Sequence, residues 1–208
     1  LEFRRVLFRS EGRLDEREME KRLTSDTLLI DATHPYAAAV TDNLRAACAK
    51  SGARYERLLR PALPYQNCEI VLDTAAAVDW LNAHPGKVLL TTGSKELEAY
   101  TAVQDFQTRL FPRVLPTASV LEKCAALGFP GAHIIAMQGP FSFALNQAMM
   151  EQFHIRWLVT KDGGAAGGFD EKAAAASAAG AQLVVIRRPP EQGETASEVL
   201  KRCKEMIR

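Results

Sequence analysis

The sequence has no long apolar run, no paired cysteines and no surplus of either charge. No apolar stretch approaches the roughly 20 residues that a membrane-spanning helix needs, and nothing resembles a signal peptide with its apolar core. The cytoplasm is therefore the expected compartment. Lys and Arg number 26 against 25 Asp and Glu, a net charge of +1, which sets up no general field for nucleic acid or an anionic membrane. An anionic ligand must then be held by locally placed cations. Cys48, Cys68, Cys124 and Cys203 are scattered without a CxxC pair and read as reduced core or surface thiols. His34, His84, His133 and His154 show no HExxH or other metal spacing, so no metal site is expected. Also missing are the dinucleotide fingerprint GxGxxG, the Walker lysine-serine pair and the hydrolase elbow GxSxG; GGAAGG at 163–168 has the wrong spacing.

What is present is a repeated rhythm. A chain of 208 residues with 47% hydrophobic content can bury one large core or two small ones. TLLIDA (27–32) reads as a short strand, followed by a helix from Pro35 with Val40, Leu44, Ala47 and Cys48 at helical spacing, stopped by Gly52. ARYERLLRP reads as a strand, and VLDTAAAVDWLNAHPG as a strand end and a helix stopped at Pro85-Gly86. KVLLTTGSKELEAY gives a strand, a turn and a helix capped by Ser94; RLFPRVLPTASVLEKCAALG gives a strand interrupted by Pro112 and a helix capped by Thr117. HIIAMQGPFSFALNQAMMEQF repeats the unit, and residues 155–189 add two strands around an alanine-rich helix. Such alternation predicts an α/β protein with mainly parallel sheets, arranged as two Rossmann-like lobes of which the first is incomplete. The Pro85-Gly86 break divides them into residues 1–85 and 86–208. LEFRRVLFRS has no cap and no period and reads as foreign sequence; EGRLDEREMEKRL after it is amphipathic, with Leu14, Met19 and Leu23 on one side.

Ligands of parallel sheets collect at the carboxyl ends of the strands, and five polar turns lie there: DATHPY, TTGSK, RVLPT, MQGPF and TKDGGAAGGF. The turns at 92–95, 138–142 and 161–169 offer glycine backbone N–H groups near helix starts, which suits phosphate or carboxylate. Each turn taken singly is also what a strand-to-helix connection requires structurally. If the turns line one cleft, Gly93, Gly139 and Gly167 must share one edge of one sheet. In DATHPY, Asp31 is expected to fix the turn and His34, Thr33 and His34 to face the ligand, and Tyr36 to form a flat wall; the alternative is that Asp31 and Thr33 merely satisfy the first helical N–H groups.

Taken together, DATHPYAAAVTDNL, RLLRP, LLTTGSKEL, RVLPT, IIAMQGPFS with Asn146 following, VTKDGG, GGFDEKAAAA and VVIRRP resemble the precorrin-6A reductase family of cobalamin biosynthesis, and more nearly the cobalt-precorrin-6A reductases. The resemblance runs from about Gly12 to about Pro189. It implies NAD(P)H-dependent reduction of one double bond of a corrin-forming macrocycle, a small-molecule tetrapyrrole substrate, and two lobes facing each other across a ligand cleft. NADPH or NADH is the implied cofactor, with Thr92, Gly93, Ser94, Gln138, Gly139, Pro140, Phe141, Gly167 and Gly168 as candidates to hold it. The substrate's carboxylates call for cations, bidentate arginine above all. Arg60, Arg113 and Lys161, beside Asp31, Thr33 and His34, are the candidate substrate contacts. The proton that completes the reduction is assigned to His34, with Lys161 and Tyr36 as rivals. A complete member is expected to open with a strand and a Gly-Gly-Thr turn feeding a helix, a strand-helix-strand unit of roughly 30 residues or more whose end is expected where LEFRRVLFRS stands, so the chain reads as truncated there. A tetrapyrrole methyltransferase using S-adenosylmethionine, or a non-catalytic lobe, are the competing readings. Neither oligomeric state nor the choice between NADH and NADPH is legible.

Overall fold

The computed structural model describes residues 15–59, 68–162 and 168–206. The first stretch holds α1 (Glu16–Glu20), β1 (Leu28–Asp31), α2 (Ala38–Ser51) and β2 (Arg54–Arg57). The second holds β3 (Cys68–Val71), α3 (Thr74–Ala83), β4 (Lys87–Leu90), α4 (Leu97–Tyr100), α5 (Phe106–Arg109), β5 (Leu110–Val114), α6 (Ala118–Ala126), β6 (Ile135–Ala136), α7 (Phe143–Gln152) and β7 (Ile155–Lys161). The third holds α8 (Phe169–Ala178), β8 (Gln182–Ile186) and α9 (Ala196–Met206). They form two compact units, one from residues 15–59 with 191–206 and one from 68–162 with 168–190.

In the first unit β1 and β2 pair in parallel, in register from Leu28 opposite Arg54 to Asp31 opposite Arg57. Asp15 and Glu18 close a reciprocal capping box at the start of α1, which buries Met19. Gly52, at φ 74°, ends α2 as its spacing predicts. Helix α9 was not read from the sequence. It buries Val199, and its Arg202 donates to Glu56 at 2.9 Å and Glu194 at 3.0 Å. The strand bridge between Leu58 and Glu194 runs beside Gly193, where a Cβ would lie 2.5 Å from the Arg57 carbonyl oxygen; only glycine allows that approach.

The second unit is an all-parallel sheet in the order β3-β8-β7-β4-β5-β6. Its strands β4, β5, β7 and β8 are near-continuous apolar runs because both faces are covered, whereas the edge strand β3 leaves Ile70 exposed. Side chains alternate between faces. Val88, Leu90, Val114, Val159, Val184 and Ile186 pack with α3, α4 and α6, while Leu89, Phe111, Leu158, Leu183 and Val185 pack with α7 and α8.

Four expectations change. Pro85-Gly86 lies inside the second unit, because β3 pairs with β8 and brings α3 with it. Pro35 sits in a turn closed by the Ala37 N–H on the His34 carbonyl (2.8 Å), a position its fixed φ suits, and α2 begins three residues later. Glu96, not Ser94, stands at the α4 N-cap. Pro112 lies within an unbroken β5: β6 pairs only from Arg113 onward, so no donor is demanded of the proline on that side. Thr117 does occupy the α6 N-cap, without a side-chain bond.

Candidate functional site

Parallel pairing brings the carboxyl ends of all six strands of the second unit to one edge, where apolar rows turn polar on both faces. The register places Pro112 of β5 and Val159 of β7 opposite Leu90 of β4, so the next residues, Arg113, Thr91 and Thr160, form one row. They point to the α7/α8 face, continuing Phe111, Leu89 and Leu158. Arg113 is 8% exposed. Its guanidinium lies 3.8 Å from the centre of the Phe141 ring, and its Nη1 donates to Asn146 Oδ1 at 2.7 Å. The Asn146 amide donates to the Ser142 carbonyl (2.9 Å) and the Phe141 carbonyl (3.3 Å), which leaves its oxygen turned to the arginine. A Cβ on Gly139 would meet the Phe141 ring at 3.0 Å, so a bare glycine lets that ring take its place under Arg113.

On the same face Lys172, in the first turns of α8, donates to Thr160 Oγ1 at 3.0 Å. Among the described residues no ion pair includes Arg113 or Lys172. Burial lowers the Arg113 pKa to about 10. Burial, and then the neighbouring Arg113 charge, lower that of Lys172 to about 8 against the pull of Glu171. Both cations are thus drawn out of water with no carboxylate among the described residues paired to them.

The opposite face carries a second polar group. Lys161, at the end of β7, pairs with Glu96 at 2.9 Å, and Thr74 donates to the other Glu96 oxygen at 2.6 Å. Burial favours the protonated acid, but Thr74 and Lys161 outweigh it and hold the Glu96 carboxyl below its ordinary value. The Tyr100 hydroxyl lies beside Thr92 and Thr74, yet neither it nor Thr92 Oγ1 completes a hydrogen bond among the described residues. Burial raises the Tyr100 phenol above its usual range. Next to Lys161, Asp162 is clamped by Arg188 through Nε (2.6 Å) and Nη2 (2.9 Å).

In the first unit Asp31 is 1% exposed and accepts from the Thr33 N–H (3.0 Å), the Thr41 hydroxyl (2.9 Å) and the Tyr55 hydroxyl (2.8 Å). Arg57 Nη1 lies 2.8 Å from it, and the same guanidinium grips Glu191. Burial would raise the Asp31 pKa, but Thr33, Tyr55 and Thr41 together bring it below the ordinary value. Burial and the bond to Asp31 push the Tyr55 phenol up to about 12. Asp31 thus ties both strands to the turn. His34 and Tyr36 are half-buried on that turn, their rings 5.4 Å apart, with the Tyr36 N–H 3.4 Å from His34 Nδ1.

Of the glycines expected to share an edge, Gly93 follows β4 and Gly139 follows β6 on the carboxyl edge of the one sheet, and Gly168 opens α8 beyond β7. Gly167 and Arg60 lie outside the described residues. Thr92, Gly93 and Ser94 follow β4, and Gln138, Gly139, Pro140 and Phe141 follow β6, each set at the edge expected of it. Lys172, Thr160, Glu96 and Tyr100 were not singled out from the sequence. The positions of Thr160 and Lys161, with Thr91 and Thr92, in strands otherwise apolar were the available signal.

A family model described as precorrin-6x reductase CbiJ/CobK matches residues 5–204. The chain belongs to that family. The match takes in residues 5–10, the second half of the segment read as foreign. The cobalt-precorrin-6A reductase of Salmonella typhimurium is 38% identical over 160 residues, covering 74% of this chain and 60% of that protein. The enzyme of the same name from Priestia megaterium is 34% identical over 160 residues, covering 74% and 62%. The chain therefore spans about three-fifths of the length of these relatives. A solved structure of CobK precorrin-6A reductase superposes with a TM-score of 0.71 at 26% identity, covering 92% of this chain and 79% of that one. The α/β architecture with parallel sheets is thus that of the CbiJ/CobK family. Among the described residues no helix is long and apolar enough to cross a membrane.

Proposed function

We propose that this CbiJ/CobK family chain takes part in reducing a ring double bond of precorrin-6A or cobalt-precorrin-6A, giving the corresponding precorrin-6B, in cobalamin biosynthesis, with NADPH or NADH as reductant. The observation that carries the reading is the family match over residues 5–204. The donor set supports it: a dinucleotide's diphosphate and a macrocycle's carboxylates both need cations not already paired with an acid, and Arg113 with Lys172, held only by neutral groups among the described residues, answers that need.

A reduced nicotinamide would supply the hydride. Thr92, Gly93, Ser94, Gln138, Gly139, Pro140, Phe141, Gly167 and Gly168 are the residues assigned to hold it, with the Arg113-carrying Phe141 ring as a flat apolar surface. Asp31, Thr33, His34, Arg60, Arg113 and Lys161 are assigned to the substrate; Asp31 and Thr33 act by holding the turn that presents His34. A proton must reach the carbon next to the reduced one, and His34, Tyr36 or Lys161 delivers it. Lys161 would do so beside Glu96, which keeps the ammonium oriented.

The test is consumption of NADPH or NADH by this chain only when a precorrin-6A substrate is present, with saturation-transfer NMR run in parallel on NADPH, NADH and S-adenosylmethionine. Magnetisation transfer to S-adenosylmethionine alone would move the chain to the methyltransferase reading.

A further inference from the structure

We propose that Arg113 and Lys172 form one built oxyanion site, with Lys172 its second cation, at the carboxyl edge of β5 and β7. The inference deepens the reductase reading by naming what grips an acidic group, and rests on it only for the ligand's identity.

Arg113 and Thr160 stand in one row with Thr91 between them, so their Cα atoms are two interstrand spacings apart, roughly 10 Å. A guanidinium on β5 and an ammonium seated on Thr160 of β7 by a 3.0 Å bond lie on the same face of the sheet, near enough that the Arg113 charge acts on Lys172. Each is fixed from behind: Phe141 and Asn146 hold the guanidinium, and Thr160 holds the ammonium. Arg113 commits Nη1 to Asn146, while no carboxylate among the described residues pairs with either cation. A structural arginine so far buried normally has an acid of its own, as Arg57 has in Asp31 and Glu191, and as Arg188 has in Asp162. The ligand is a phosphate or a carboxylate; both chemistries satisfy a planar fork and a point charge.

The experiment uses the whole chain and two probes, inorganic pyrophosphate and succinate, read by thermal unfolding and by calorimetry. Wild-type protein is expected to gain melting temperature with at least one probe, and Lys172→Met and Arg113→Met each to weaken its binding about tenfold or more. Response to pyrophosphate alone assigns the site to a dinucleotide's phosphates; response to succinate alone assigns it to acid side chains of the substrate. In anion-free buffer at neutral pH, Lys172→Met is expected to melt above wild type, since it removes a desolvated charge whose counter-charge is absent. The anion response of wild type is expected to fade as pH rises through about 8, when Lys172, facing Arg113 from β5 and with Glu171 beside it on α8, loses its proton. The proposal fails if neither probe binds, if both variants bind as wild type does, or if Lys172→Met melts below wild type at neutral pH. No turnover enters this test, so a chain that binds the anion but reduces nothing leaves the site standing and sinks the reductase reading alone.

Discussion

Asp31 accepts from three donors and an arginine while almost wholly buried, so it is the residue on which the DATHPY turn depends. Asp31→Asn keeps the shape, removes the charge facing Arg57, and is expected to lower stability by about 2–4 kcal/mol in urea or thermal melts. The sign with pH follows from its lowered pKa. The stabilisation is complete above the ordinary value of 3.8 and is lost as pH falls through the lower folded value. Wild type should therefore lose more stability than Asp31→Asn on acidification, and parallel acid melts would refute the assignment. At the other unit, Arg113→Ala is expected to raise the KM for the macrocycle roughly ten- to hundredfold with a smaller effect on the nicotinamide cofactor, as one lost charged contact is worth about 1.5–3 kcal/mol. Equal weakening of both would put Arg113 at the cofactor. Arg113 was legible because it breaks an apolar strand beside a turn. Lys172 was not: DEKAAAA looks like the exposed first turn of any helix, and only the sheet row beneath it shows that the lysine turns inward to Thr160.

Among the elements, strands and long helices followed from period and from glycine stops, since those signals are local. The errors concentrate where a neighbour decides. Pro35 looks like a helix start until its turn bond is seen, and Pro112 looks like an interruption until the short β6 is placed beside it. Helix α9 escaped because its charged surface dominates the sequence, with few apolar residues to mark the buried side; Val199 is the one it buries most clearly. Its role can be tested. Val199→Asp puts an unpaired carboxylate into that contact and is expected to cost about 3 kcal/mol or more, seen as a lower melting temperature and faster proteolysis of residues 15–59. Leu200→Asp, at a side chain 59% exposed on the same helix, is the control and should be near neutral. If both variants behave alike, α9 is not held by its apolar side, and the Arg202 bonds to Glu56 and Glu194 carry the attachment.

At the scale of the molecule the two units are built to different standards. The second has six parallel strands with helices on both faces, and its inner residues Val88, Leu89, Leu158, Val159, Val184 and Val185 are completely buried. The described part of the first has two strands, β1 and β2, with Ile30 at 40% and Val40 at 38% exposure; two strands alone make a marginal sheet. Which strands build each unit was not legible in the sequence, where both halves show the same strand-turn-helix rhythm. It depends on which strand pairs where: β3, counted by sequence order with the first lobe, lies in the sheet of the second. Amide hydrogen exchange should report the difference directly. Local opening free energies follow buried apolar contact, so amides of β4, β7 and β8 are expected to exchange only through global unfolding and those of β1 and β2 through smaller openings, at least about a hundredfold faster, a gap of some 2.7 kcal/mol. Denaturant should accelerate exchange steeply in β4, β7 and β8 and only shallowly in β1 and β2. Equal protection and equal denaturant slopes across all five strands would mean that the Asp31, Arg57 and Glu191 network, together with α9, makes the first unit as cooperative as the second.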